Sequence, residues 1–211
     1  MKKYNENLKL LSQNHIYSNE MEHDACGIGL IASTEGKKSR KVVDYGIEAL
    51  KAVWHRGAVD ADGKTGDGAG IHLEIPKDFF IEKIQVTGHD YDESEICVGM
   101  IFLPRNDYSA QESSKTIVES EITKNDFSIY GWRQVPVNPK VLGEKAFQTM
   151  PEIIQVLFKS NDPDLLDKDL ERKIYETRKK IEIKADNLSL NDFYVCSMSS
   201  KSIIYKGMFL A

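Results

Sequence analysis

The segment Ile96-Cys97-Val98-Gly99-Met100-Ile101-Phe102-Leu103 is apolar almost throughout and is closed by Pro104. A short continuous apolar run bounded by a breaker reads as a strand at the centre of a sheet, so this chain has to fold around β-structure. Other segments read as companion strands. Ile71-His72-Leu73-Glu74-Ile75 alternates strictly between apolar and polar and stops at Pro76. Tyr130–Val135 and Ile153–Phe158 read as strands separated by a connector carrying Pro136, Pro139 and Pro151, and Phe193–Met198 with Ser202–Tyr205 reads as a hairpin. Cys26–Ala32 reads as the first strand, ended by the turn Ser33-Thr34-Glu35-Gly36. Helical spacing appears in Val42, Val43, Ile47, Leu50 and Val53, and this helix is expected to end near Trp54-His55-Arg56-Gly57, with Gly57 in a left-handed position. Ser109 to about Lys124 carries a thin apolar stripe of Ile117, Val118 and Ile122. Asn161-Asp162-Pro163 has the chemistry of a helix start, and Leu166, Leu170, Ile174, Arg178 and Ile181 mark one face of a long charged helix to about Lys184. Strands outnumber helices, and no internal repeat is visible.

Composition narrows the function classes. With 211 residues, 41% hydrophobic and 29% charged, the chain can bury one core, as one domain or a domain with an extension. Its net charge of -5 and scattered lysines give no cationic footprint for nucleic acid. No apolar run approaches the roughly 20 residues of a membrane span, and the first 25 residues lack the apolar stretch of a secretory signal. The three cysteines, Cys26, Cys97 and Cys196, are odd in number and widely spaced. That argues against a disulfide framework and for a reducing, cytoplasmic setting. The histidines (His15, His23, His55, His72, His89) form no metal-ligand spacing, so no metal is expected. His55 reads as a packing or capping residue, and Asp60 and Asp62 as solvated loop carboxylates.

Of the cysteines, Cys26 alone opens a strand-like run. It follows the polar leader and is flanked by Gly27 and Gly29, where backbone and ligand could approach closely. Cleavage between Ala25 and Cys26 would put a thiol and a free α-amine on one residue, giving a nucleophile with a built-in base. The alternative is a small buried hydrophobe. Residues 1–25 read as a removable leader or a tail. Gly66-Asp67-Gly68-Ala69-Gly70 looks like a phosphate cradle, but such loops need a strand before the glycines and a helix after them. Here the order is reversed and Asp67 would repel phosphate, so a tight turn bringing backbone near a small polar ligand fits better. Arg56 could fork onto a carboxylate or carbonyl, or be a surface arginine near the negative end of a helix.

Taken together, Cys26-Gly27-Ile28-Gly29, Trp54-His55-Arg56-Gly57-Ala58 and Thr65-Gly66-Asp67-Gly68-Ala69-Gly70-Ile71 resemble the class II glutamine amidotransferase domain. Gly131-Trp132-Arg133-Gln134-Val135-Pro136, Tyr175-Glu176-Thr177-Arg178-Lys179 and Ser202-Ile203-Ile204-Tyr205-Lys206-Gly207-Met208 narrow the resemblance to the start of the glutamate synthase large chains. The resemblance implies an α+β N-terminal-nucleophile hydrolase fold, a four-layer αββα sandwich of two antiparallel sheets. It implies a leader over residues 1–25 and an amidotransferase domain over 26–211. Cys26 would be the nucleophile, Arg56 would organise the nucleophile or the glutamine, and Gly57, Asp67 and Gly68 would shape the pocket wall. The family's oxyanion-hole Asn-Gly pair and its glutamine-anchoring arginine and aspartate follow the segment matching Tyr205–Met208. The chain stops in apolar Gly207-Met208-Phe209-Leu210-Ala211 and is therefore expected to be a piece truncated at the C-terminus. Loss of one oxyanion donor typically costs about 10²–10³ in rate.

By the same resemblance the partners are L-glutamine, the rest of the synthase large chain and a small NADPH-dependent subunit. No cofactor is expected in this segment, whereas FMN and an iron–sulfur cluster are expected in the full-length chain. Two other readings stand beside this one: a catalytically silent binding or scaffold piece of the same fold, and another class II amidotransferase making an amino sugar or purine precursor. The synthase-like segments and the absence of a phosphosugar motif count against the last.

Overall fold

The computed structural model describes residues 27–89, 96–208 and 210, with positions 3, 6, 7, 9, 10 and 13. Within these, the element order is α1 (Arg40–Ala52), β1 (Ala69–Glu74), α2 (Lys77–Val86), β2 (Cys97–Leu103), α3 (Tyr108–Lys124), β3 (Phe127–Gln134), α4 (Glu144–Gln148), β4 (Glu152–Ser160), α5 (Asp167–Asn187), β5 (Tyr194–Ser199) and β6 (Ser202–Gly207). The larger sheet has the order β3-β4-β2-β5, and β1 pairs with β6 in a second sheet. All these pairings are antiparallel. Two antiparallel sheets with helical cover are thus present, as expected.

The apolar run that anchors the sequence is the interior strand β2, held by β4 on one side and β5 on the other. Because a strand alternates its faces, β2 feeds two cores. Cys97, Ile101 and Leu103 point to the helices, packing with Ile117, Val118 and Ile122 of α3 and Leu170, Ile174 and Ile181 of α5. Val98 and Met100 point the other way and meet Phe80, Ile81 and Ile84 of α2 and Ile203 of β6. Full burial of each such side chain is worth about 1.5–3 kcal/mol, so this strand, buried on both faces, contributes strongly to folding.

Several expectations are corrected. The strand expected over Cys26–Ala32 is not formed in the part described: 27–32 joins neither sheet, with Ile28 93% and Leu30 88% exposed. An apolar run becomes a strand only where a sheet edge takes its hydrogen bonds, and no described edge does so here. The hairpin of the last two strands is also not formed. β5 pairs with β2 and β6 with β1, so the turn between them carries the chain from one sheet to the other.

The long helix starts at Asp167, not at Asp162. The Asp162 carboxylate instead accepts from the Asp164 N–H at 3.0 Å, capping a turn. Helix α2, unread in the sequence, follows directly on Pro76, which is its N-cap residue but caps it with no side-chain hydrogen bond. The proline connector holds a 3₁₀ turn at Pro139–Val141 and the short helix α4. Among the described residues, no helix is long and apolar enough to cross a membrane.

Candidate functional site

The Cys26 assignment and the leader cleavage site lie outside the described residues. The chain is first followed continuously from Gly27, and its backbone passes α1 closely: an ideal Cβ on Gly29 would lie 4.0 Å from the Ala49 Cβ. Helix α1 starts on Ser39, whose hydroxyl accepts from the Lys41 N–H, and stops at Ala52 with Val53 as C-cap. A 3₁₀ turn over Trp54–Arg56 follows. Arg56 is therefore the last residue of that turn, next to Gly57. His55 stands exposed on the same turn rather than packed.

Gly57 does not take the expected left-handed conformation; it is extended, with φ -85° and ψ 147°. Its need for glycine is steric. A Cβ there would sit 3.1 Å from Asp67 Oδ1 and 3.4 Å from the Trp54 carbonyl oxygen. Asp67 reaches this position because 58–67 folds back on itself. The Asp67 N–H donates to the Ala58 carbonyl at 3.2 Å, Val59 and Gly66 form an isolated antiparallel bridge, and the Asp60 N–H donates to the Thr65 carbonyl at 2.9 Å. Gly68 follows with φ +120°, a conformation L side chains rarely adopt, and a Cβ there would meet the Gly207 carbonyl oxygen at 3.3 Å. Gly57, Asp67 and Gly68 are thus brought together at the mouth of β1, beside the backbone of Arg56.

The carboxylates Asp60 and Asp62 have a different role from the one read in the sequence. They lock this loop to α4. Asp62 accepts from the Lys64 N–H at 2.9 Å, the Thr65 N–H at 2.7 Å and the Thr65 hydroxyl at 2.5 Å. The Thr65 hydroxyl bond, followed by the backbone donors of Thr65, Lys64 and Glu144, holds its pKa far below the usual carboxylate range. Asp60 pairs with Lys145 Nζ at 2.5 Å, which lowers its pKa too. Gly143 completes the clasp: a Cβ on it would collide with Thr65 Oγ1 and Asp62 Oδ2. The Asp-x-x-Thr spacing was the available sequence signal, since an aspartate often caps the backbone two or three residues on.

A metal would need converging ligands. Among the described residues no group of three or more His, Cys, Asp and Glu gathers. The sequence profile of the family "Glutamine amidotransferases class-II" matches residues 26–211. The chain belongs to the class II glutamine amidotransferases. Its fold is accordingly of the N-terminal-nucleophile hydrolase type, and the match begins at Cys26.

The curated relatives that the chain matches are much longer than it is. The chain is 52% identical over 205 residues to the glutamate synthase [NADPH] large chain of Azospirillum brasilense, covering 97% of this chain and 14% of that one. It is 38% identical over 206 residues to the ferredoxin-dependent glutamate synthase of Pyropia yezoensis, covering 95% and 13%. It is 40% identical over 190 residues to the chloroplastic ferredoxin-dependent glutamate synthase of Spinacia oleracea, covering 89% and 12%. The chain therefore spans about one seventh or less of the length of these relatives.

Proposed function

We propose that this amidotransferase domain hydrolyses L-glutamine through Cys26, exposed as the first residue once the leader 1–25 is removed, and that it does so as the ammonia-releasing part of a glutamate synthase. The observation that carries the reading is the meeting of Gly57, Asp67 and Gly68 beside Arg56, in a family whose profile begins at Cys26. A small amide substrate needs a tight backbone wall and a few polar groups, and this corner supplies both.

The Cys26 thiol proton passes to the residue's own α-amine, and the sulfur attacks the side-chain amide carbon of glutamine. Ordinary pKa values of about 7.7–8.0 for the amine and 8.5 for the thiol make this transfer nearly level at neutral pH. The amine then returns the proton to the departing nitrogen, which leaves as ammonia, and water hydrolyses the thioester to glutamate. If the leader stays attached, the nitrogen is an amide and takes no proton. Arg56 orients the nucleophile or the glutamine, while Gly57 keeps space open in front of Asp67.

In the whole protein the ammonia goes to 2-oxoglutarate, and a small NADPH-dependent subunit is the expected source of electrons. FMN and the iron–sulfur cluster are assigned to parts of the large chain beyond this domain. Cys97 packs in the helix-side core and Cys196 in the opposite core. The reaction is placed in a reducing compartment such as the cytoplasm, where a thiol nucleophile survives.

In the full-length protein Cys26→Ala should abolish glutamine-dependent synthesis and leave ammonia-dependent synthesis within about twofold, a test of the covalent step. Equal loss of both activities would remove the assignment.

A further inference from the structure

Gln155 is a polar residue with 0% exposure on the face of β4 that looks toward β6. Burying an amide is costly unless every group finds a partner. Its partners define a chain. Arg133, directly opposite on β3, donates from Nη1 to Gln155 Oε1 at 2.7 Å. Gln155 Nε2 then donates to Tyr205 Oη at 3.2 Å. The direction is fixed by chemistry, because a guanidinium only donates and so forces the amide oxygen toward itself. Arg133 is steadied by the Phe79 ring, 4.9 Å from its guanidinium carbon.

Tyr205 lies on β6, whose last residues back the loop described above. A Cβ on Gly70 would come within 2.9 Å of the Tyr205 carbonyl oxygen, and one on Gly68 within 3.3 Å of the Gly207 carbonyl oxygen. Lys206 Nζ donates to Tyr194 Oη at 2.8 Å, tying the same end of β6 to β5.

We propose that Arg133, Gln155 and Tyr205 are positioning residues: a hydrogen-bonded relay between the two sheets that fixes the end of β6 and, through it, the pocket wall at Asp67 and Gly68. The role in glutamine binding rests on the function proposed above; the role in fixing the wall does not. Tyr205→Phe removes the acceptor and keeps the ring, and Gln155→Met removes both links at similar volume. In the full-length protein each should speed hydrogen exchange of amides 67–71. Each should also raise KM for glutamine about three- to tenfold with kcat within about twofold, the size expected for one net hydrogen bond. The double variant should match the single ones, since one relay is broken once.

Exchange at 67–71 equal to wild type in Tyr205→Phe, or additive effects in the double variant, would overturn the relay. Should Gln155→Met fail to fold, Tyr205→Phe alone decides. Absence of glutamine turnover in the wild type would sink the amidotransferase reading, and the exchange comparison would still decide the relay.

Discussion

At Gly143, with φ -72° and ψ 167°, the backbone conformation is ordinary, so any residue could adopt it. What forbids a side chain is the Asp62–Thr65 pair pressed against it. Gly143→Ala should therefore cost about 1–3 kcal/mol, the usual range for overpacking, as a lower midpoint in urea. It should also speed proteolysis of the 60–70 loop. The carboxylates beside it predict a pH dependence. Asp62 and Asp60 have folded-state pKa values below their unfolded ones, Asp62 chiefly through the Thr65 hydroxyl and Asp60 chiefly through Lys145. Their stabilisation is thus complete above the unfolded value of about 3.9 and is lost as pH falls below it through the folded value. Thermal scans of wild type and Asp62→Asn should differ by a constant amount from pH 7 to about 5 and converge in acid below about 4. A difference unchanged into acid would show that the Asp62 charge is not what secures the loop.

Elements are joined by a few half-buried polar groups. Glu171 on α5 accepts from the Ser200 N–H at 2.7 Å, the Ser200 hydroxyl at 2.6 Å and the Ser199 hydroxyl at 2.9 Å. These are the residues through which the chain leaves β5 and changes sheet. Glu171→Ala strands buried donors and should cost about 1–3 kcal/mol in equilibrium unfolding, against a few tenths at an exposed helix glutamate. A cost no larger than that would remove Glu171 from the crossing.

The same crossing marks where sequence reading reaches its limit. The strands of the larger sheet and the faces of α1, α3 and α5 were legible, because period and breakers are local. The β1–β6 pairing joins 69–74 to 202–207, and no local pattern records it. Proximity in sequence made β5 and β6 look like a hairpin. Asp162-Pro163 matched a helix start because turns and N-caps use the same side-chain hydrogen bond. Helix α2 was missed because it lacks a capping side chain and sits directly behind a strand-ending proline. Resemblance singled out Gly57, Asp67 and Gly68, which lie close together in the structure, whereas the Asp60 and Asp62 clasp needed the contact with α4.

For the whole molecule, the domain is a two-sheet body whose smaller sheet carries the candidate pocket wall and whose larger sheet supplies most of the core. The hydrogen bonds through Gln155 link β3 and β4 of the larger sheet to β6 of the smaller one. The longer relatives place such a domain in a protein several times its length. The proposed chemistry turns on one atom pair, the Cys26 sulfur and the nitrogen on the same residue. The most direct test is the intact mass and N-terminal sequence of catalytically active full-length protein. Active protein should begin at Cys26, with residues 1–25 gone; fully active protein that still carries Met1–Ala25 would rule out an N-terminal cysteine nucleophile.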